Sequence, residues 1–135
     1  MLRIEHWLLS RHKPGGRYYP ELDCWGLVCD VYRSRGIDLP EFVDLSQKTM
    51  QNGARECIAE HLFVPVGTPI DYDVIAFFRS NLLFHVGIWY RGKILHTTER
   101  KNCRYEPVEK FMAHSSKAIR MEYFRCILKS TQELI

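Results

Sequence analysis

The chain lacks any long uninterrupted apolar run. In the N-terminal stretch MLRIEHWLLSRHKPGG, Glu5 and His6 break the hydrophobic residues too early for a secretion signal or a membrane span. The expectation is therefore a chain made in the cytoplasm without a visible export signal. It also lacks a CxxC pair and an HExxH motif, the strongest sequence signatures of a zinc site. No block of like charge is present. Lys and Arg number 19 against 16 Asp and Glu, and the net +3 is spread along the chain, so no nucleic-acid footprint appears. The five cysteines (24, 29, 57, 103 and 126) are odd in number and irregular in spacing, which favours reduced thiols over a disulfide framework. No repeat, low-complexity tract or linker divides the 135 residues, so one domain spanning 1–135 with a substantial core is expected.

What is present changes character halfway along. Ile4, Trp7 and Leu8 fall at helical spacing, and KPGG closes that segment into a polar loop over Gly15 to Leu22. In LDCWGLVCDVYRSRGIDLP, Asp23 is a standard N-cap and Gly36 a standard residue just past a helix end. Leu27, Val28, Val31 and Tyr32 form an apolar stripe between them. A third helix is expected from a Ser46 cap through Met50, Ala54, Cys57, Ile58 and Leu62. From Val64 the period shortens: VIAFF, HVGIWY, KILHT and IRMEY read as antiparallel strands, with a phase slip at Tyr123–Phe124 that predicts a bulge. Helices first and strands afterwards define an α+β domain, with N-terminal helices packed on an antiparallel sheet.

Cys24 occupies the first turn of the Asp23-capped helix, where free N–H groups and the macrodipole favour a thiolate and where the same N–H groups can steady an oxyanion. The competing role is that of a small buried hydrophobe. HVGIWYRGKILHT supplies the base that a nucleophilic thiol needs. A two-residue turn at Arg91-Gly92 pairs Tyr90 with Lys93, which sets His96 opposite Gly87 and His85 opposite Thr98. The two histidines then share a sheet face as diagonal neighbours, about 7–8 Å apart at the backbone and within reach of an imidazole–imidazole hydrogen bond. The assembly has the logic of a cysteine–histidine–polar triad: Cys24 attacks, His85 carries the proton, His96 orients His85.

At these residues the sequence resembles the NlpC family of papain-like cysteine peptidases, which act on bacterial cell-wall peptides. The resemblance rests on DCWGLV opening a helix, DVIAFF before HVGIWY, and ILHT eleven residues after His85. It implies a papain-like fold with Cys24 as nucleophile, His85 as general base and His96 as its orienting partner, with neither cofactor nor metal. Tyr18, Tyr19, Asp23, Trp25 and Trp89 are the expected substrate contacts. The family's usual glycine–aspartate turn is Tyr72-Asp73 here, a change expected to cost little, and its upstream tyrosine lies farther away than Tyr18 or Tyr19. DCWGLV followed by GIDLP resembles the branch found in phage tail tips and prophages. That branch implies tail-tip partners and action on γ-D-glutamyl–diamino acid bonds of peptidoglycan stem peptides, in the periplasm or cell wall.

Three other readings stand beside this one. Cys57, His61, His85, His96 and Cys103 offer zinc ligands, though in no recognised module. A non-catalytic module of a phage tail or other assembly would keep the same fold. A thiol amidase or acyltransferase would share Cys24 and differ in its products.

Overall fold

The structure, a computed structural model, describes residues 1–41, 54–55, 57–58, 60–113 and 118–128. A short helix, α1 (Ile4–Leu8), buries Trp7. It leads into three two-residue strands, β1 (Arg11–His12), β2 (Arg17–Tyr18) and β3 (Glu21–Leu22), ordered β1-β3-β2. The segment expected as a polar loop is thus partly paired, with β2 antiparallel to β3 and His12 of β1 beside Leu22. Strands of two residues carry no readable alternation.

Helix α2 (Cys24–Ser34) follows at once. The Asp23 side chain accepts the Gly26 N–H at 2.7 Å. At the other end Gly36 adopts φ +79°, with Gly36 N–H on Arg33 C=O and Ile37 N–H on Tyr32 C=O, both at 3.0 Å. That pair of bonds is the Schellman arrangement, which satisfies carbonyls the helix end leaves open. The stripe Leu27, Val28, Val31 and Tyr32 is buried, and so are Cys24, Trp25, Gly26 and Cys29, so α2 is covered on more than one face. Of the expected third helix, residues 54, 55, 57 and 58 are helical, with Ala54 and Cys57 buried; Ser46 and Met50 lie outside the described residues.

The remaining strands are β4 (Phe63–Val66), β5 (Val74–Arg79), β6 (Leu82–Tyr90), β7 (Lys93–Thr98), β8 (Asn102–Glu106) and β9 (Arg120–Cys126). They form one sheet, ordered β4-β9-β5-β6-β7-β8, with every neighbouring pair antiparallel. Val74, Ala76, Val86, Ile88 and Leu95 pack with α2 in the main core. A second cluster of Ile75, Phe77, Ile94 and Val108 gathers on the alternate residues, covered by a helix the sequence reading did not foresee, α3 (Val108–Ala113).

The β6–β7 turn has the expected two residues, Arg91 and Gly92 at φ +47° and +83°, the positive pair of a type I′ hairpin. The bulge is elsewhere than expected. β9 pairs with both neighbours without a slip at Tyr123–Phe124, whereas β5 and β6 shift register between Phe77 and Phe78, leaving Phe84 as the extra residue. A bulge re-aims the side chains beside it, and the next residue is His85. The Tyr72 turn is less neutral than expected, because Tyr72 sits at φ +76°, where glycine is at ease and a bulky residue is not. It is held there by its N–H on Trp89 C=O at 2.7 Å and by the Arg35 guanidinium stacked 3.4 Å from its ring centroid.

Candidate active site

The corner between β3 and α2 positions the cysteine. Asp23 accepts from Gly26 N–H and from Gly15 N–H (3.0 Å) and pairs with Arg17 at 2.6 Å, both partners almost wholly buried. It is a structural residue here, enclosed with its countercharge and not open to a substrate. Gly26 allows the close fit, since a Cβ there would lie 1.8 Å from the Gly16 carbonyl oxygen.

Cys24 is 6% exposed, and the backbone at Val86, Trp25 and Cys24 itself lies near enough to its sulfur to favour the thiolate. Burial first, and the Asp23 charge second, push the thiol up to about 12, against the pull of that backbone. The expected ease of ionisation is therefore absent in the resting protein: helix position favours the thiolate, but desolvation weighs more.

His85 on β6 and His96 on β7 meet at 2.8 Å, Nε2 to Nδ1, the contact their diagonal placement calls for. Gly87 leaves the space between them: a Cβ there would lie 3.0 Å from His96 Cβ and 2.6 Å from Ile94 Cδ1. Phe111 of α3 packs on both rings, at 4.9 and 5.0 Å between centroids, and Phe77 lies 5.4 Å from His85. Burial, then the neighbouring basic groups His96, Arg104 and His12, hold His85 well below the ordinary histidine value. Burial also lowers His96, against its hydrogen bond to Glu106, which raises it. Both rings are neutral at neutral pH. The Cys24 sulfur reaches β6 at Val86, the residue after His85. Among the described residues the two side chains share no hydrogen bond, a looseness common in sites without substrate.

Stability follows the same histidines. The unfolded chain takes up their protons at about pH 6.5, whereas the folded rings resist protonation. Below that pH the unfolded state binds more protons, so stability falls as pH drops through about 6.5 and continues to fall toward the folded values. Thermal melts at about pH 7.5 and about pH 5.5 check this, with the lower Tm expected at the acid end.

Glu106 and Arg104 were not foreseen. Glu106, 8% exposed, places Oε2 2.6 Å from His96 Nε2 and 2.7 Å from Arg104 Nε, and Arg104 also donates to Thr98 Oγ1 at 2.9 Å. The signal was available in KILHTTERKNCRYE, a second hairpin whose register sets Ile94 opposite Glu106 and His96 opposite Arg104. His12 is a third addition. Its Nδ1 is buried without a hydrogen-bond partner, its backbone N–H donates to Asn102 Oδ1 at 2.9 Å, and it lies close enough to Asp23 and His85 to couple electrostatically with both, while burial lowers its own pKa.

The expected substrate contacts scatter. Trp25, 1% exposed, packs on Phe63 and donates to Pro40 C=O at 3.2 Å, so it is a core residue and not a groove wall. Tyr18 is exposed, with its hydroxyl on Glu41 at 2.9 Å and Arg33 over its ring. Tyr19 stacks on His6 and lines a cleft of about 860 Å³ with Trp7, Arg35 and Tyr72. That cleft takes in Asp30, Arg33 and Ser34 of α2, about 9–15 Å along the helix from Cys24. Trp89 is half-buried against Tyr123. Among the described residues no three His, Cys, Asp or Glu side chains are grouped to hold a metal ion, so the five candidate zinc ligands do not converge.

A cysteine at the first turn of a buried helix, set against an antiparallel sheet that carries paired histidines, defines a papain-like α+β hydrolase fold. The NlpC/P60 family profile matches residues 10–121, and the chain belongs to that family, whose members are cysteine hydrolases of peptidoglycan. Solved structures agree on the fold. The NlpC/p60 domain of the peptidoglycan hydrolase SagA aligns at 17% identity over 88% of this chain and 90% of that one, with a TM-score of 0.59. NlpC2 from Trichomonas vaginalis aligns at 15% identity over 90% and 44%, also at 0.59. A Staphylococcus aureus protein of the NLP/P60 family, described as similar to lipoprotein, aligns at 16% over 93% and 39%, again at 0.59. The chain thus spans less than half the length of the last two. No curated protein matches it.

Proposed function

We propose that this protein is a cysteine peptidase that hydrolyses an amide bond in peptidoglycan stem peptides. The observation that carries the reading is the 2.8 Å His85–His96 contact beside the residue whose backbone meets the Cys24 sulfur. Cys24 attacks the scissile carbonyl, His85 takes the thiol proton and returns it to the leaving amine, and His96 orients His85. Because the resting pair is neutral thiol and neutral imidazole, proton transfer accompanies attack instead of preceding it. The N–H groups at the start of α2 face the developing oxyanion. The bond we assign is that between γ-D-glutamate and a diamino acid, cleaved by a tail-tip or prophage protein acting at the cell wall. DCWGLV and GIDLP support the phage branch.

The test is incubation of wild type and Cys24→Ala with purified stem peptides, products read by mass spectrometry. Cleavage by wild type alone is expected, and the fragments name the bond. The burial of Cys24 and its raised thiol favour a second reading, a non-catalytic module of a larger assembly. Intact peptides in both reactions, with Cys24 inert to an alkylating probe, would establish that one.

A further inference from the structure

We propose that Glu106 is a positioning residue that fixes the proton of His96 on Nε2, and through His96 leaves Nδ1 of His85 as the basic nitrogen. The kinetic part of this inference rests on the peptidase reading, and the protonation part does not.

One chain of contacts links Arg104, Glu106, His96 and His85. Burial works to raise the Glu106 carboxyl, but its hydrogen bonds to Arg104 and His96 more than reverse this and leave it below the ordinary value, hence ionised. An ionised carboxylate can only accept. The 2.6 Å contact with His96 Nε2 is therefore an N–H donated by His96. Arg104 Nη2 lies 3.4 Å from the same nitrogen, too far to compete, and two donors do not bond. A neutral His96 has one ring proton, now committed to Nε2, so its Nδ1 offers a lone pair. The 2.8 Å contact to His85 then requires N–H on His85 Nε2, and a neutral His85 has its lone pair on Nδ1. Arg104, donating to Glu106 Oε2 at 2.7 Å and to Thr98 Oγ1 at 2.9 Å, anchors the far end. The charged and titratable groups facing this chain are Arg104 and Glu106 from β8 and His12 from β1; α3 contributes the ring of Phe111.

The consequence for turnover is directional. The Cys24 S–H bond breaks as S–C forms, the proton goes to His85 Nδ1, and the resulting imidazolium points its Nε2–H at His96, with a carboxylate beyond. When the intermediate collapses, that Nδ1 proton passes to the amine as the C–N bond breaks.

Glu106→Gln tests it, because the amide can donate to His96 as well as accept and so no longer dictates the tautomer. In protein labelled with ¹⁵N-histidine, wild type is expected to show His85 and His96 both protonated on Nε2, and the variant to populate the Nδ1 form of His96. With stem peptides, kcat is expected to fall about 10²-fold with little change in KM. The acid limb of its pH profile moves to lower pH, since the imidazolium loses its carboxylate. A purely structural role would lower the plateau through lost folded protein and leave the limb in place. A wild-type His96 protonated on Nδ1, or a variant with unchanged tautomers and pH profile, overturns the proposal. If no peptide is cleaved at all, the spectra alone decide.

Discussion

Asp23→Ala is expected to destabilise the protein by about 3–5 kcal/mol, the usual cost of removing one partner of a buried ion pair. Three interactions go together: the α2 cap on Gly26 N–H, the bond from Gly15 N–H, and the countercharge 2.6 Å from Arg17, which keeps its bond to Gly16 C=O but is 5% exposed at its side chain. A single domain has about 5–15 kcal/mol in hand, so urea denaturation should show a midpoint shift large enough to leave the variant partly unfolded at body temperature. Asp23→Asn separates the parts. Its amide oxygen still caps the helix, and a loss close to that of alanine would assign most of the effect to the charge. Retention of wild-type stability by both would mean the corner is held by other contacts.

Gly87→Ala is expected to cut kcat/KM about 10²-fold, the order that a 1 Å misplacement of catalytic groups costs, and to cost about 1–3 kcal/mol from overpacking. The added Cβ meets Ile94 Cδ1 at 2.6 Å, Ile94 Cγ1 at 2.7 Å and His96 Cβ at 3.0 Å, so Ile94 must repack and His96 must give way at the point where it reaches His85. Gly67→Ala is the matched control, because nothing lies within 4 Å of its added Cβ. Full activity in Gly87→Ala would mean that the His85–His96 contact is not needed for turnover.

Local rules carried much of this site. An N-cap aspartate and a glycine past the helix end bounded α2, and a two-residue turn fixed which residues of β6 and β7 share a face; both are settled within a few neighbours. Residues joined across the fold were harder to read. Glu106 becomes a partner of His96 only through the β7–β8 register, and His12 approaches His85 only because β1 lies along β3. The thiol was misjudged for a similar reason. Helix position can be read from DCWG, but the layers that close over Cys24 cannot, and desolvation is a property of those layers. Trp25 likewise looked available beside a nucleophile because its contact with Phe63 spans 38 positions.

The place of β9 has a consequence for assembly on the ribosome. β4 and β5 are neighbours in sequence but not in the sheet, because β9 inserts between them. Until residues 120–126 leave the exit tunnel, both strands present raw hydrogen-bonding edges and β5 can pair only with β6. Long-range pairing of this kind is slow to form, and unpaired edges invite contact with other chains. A nascent chain of this protein therefore carries an open sheet until β9 emerges, and its need for shelter from aggregation lasts at least to that point.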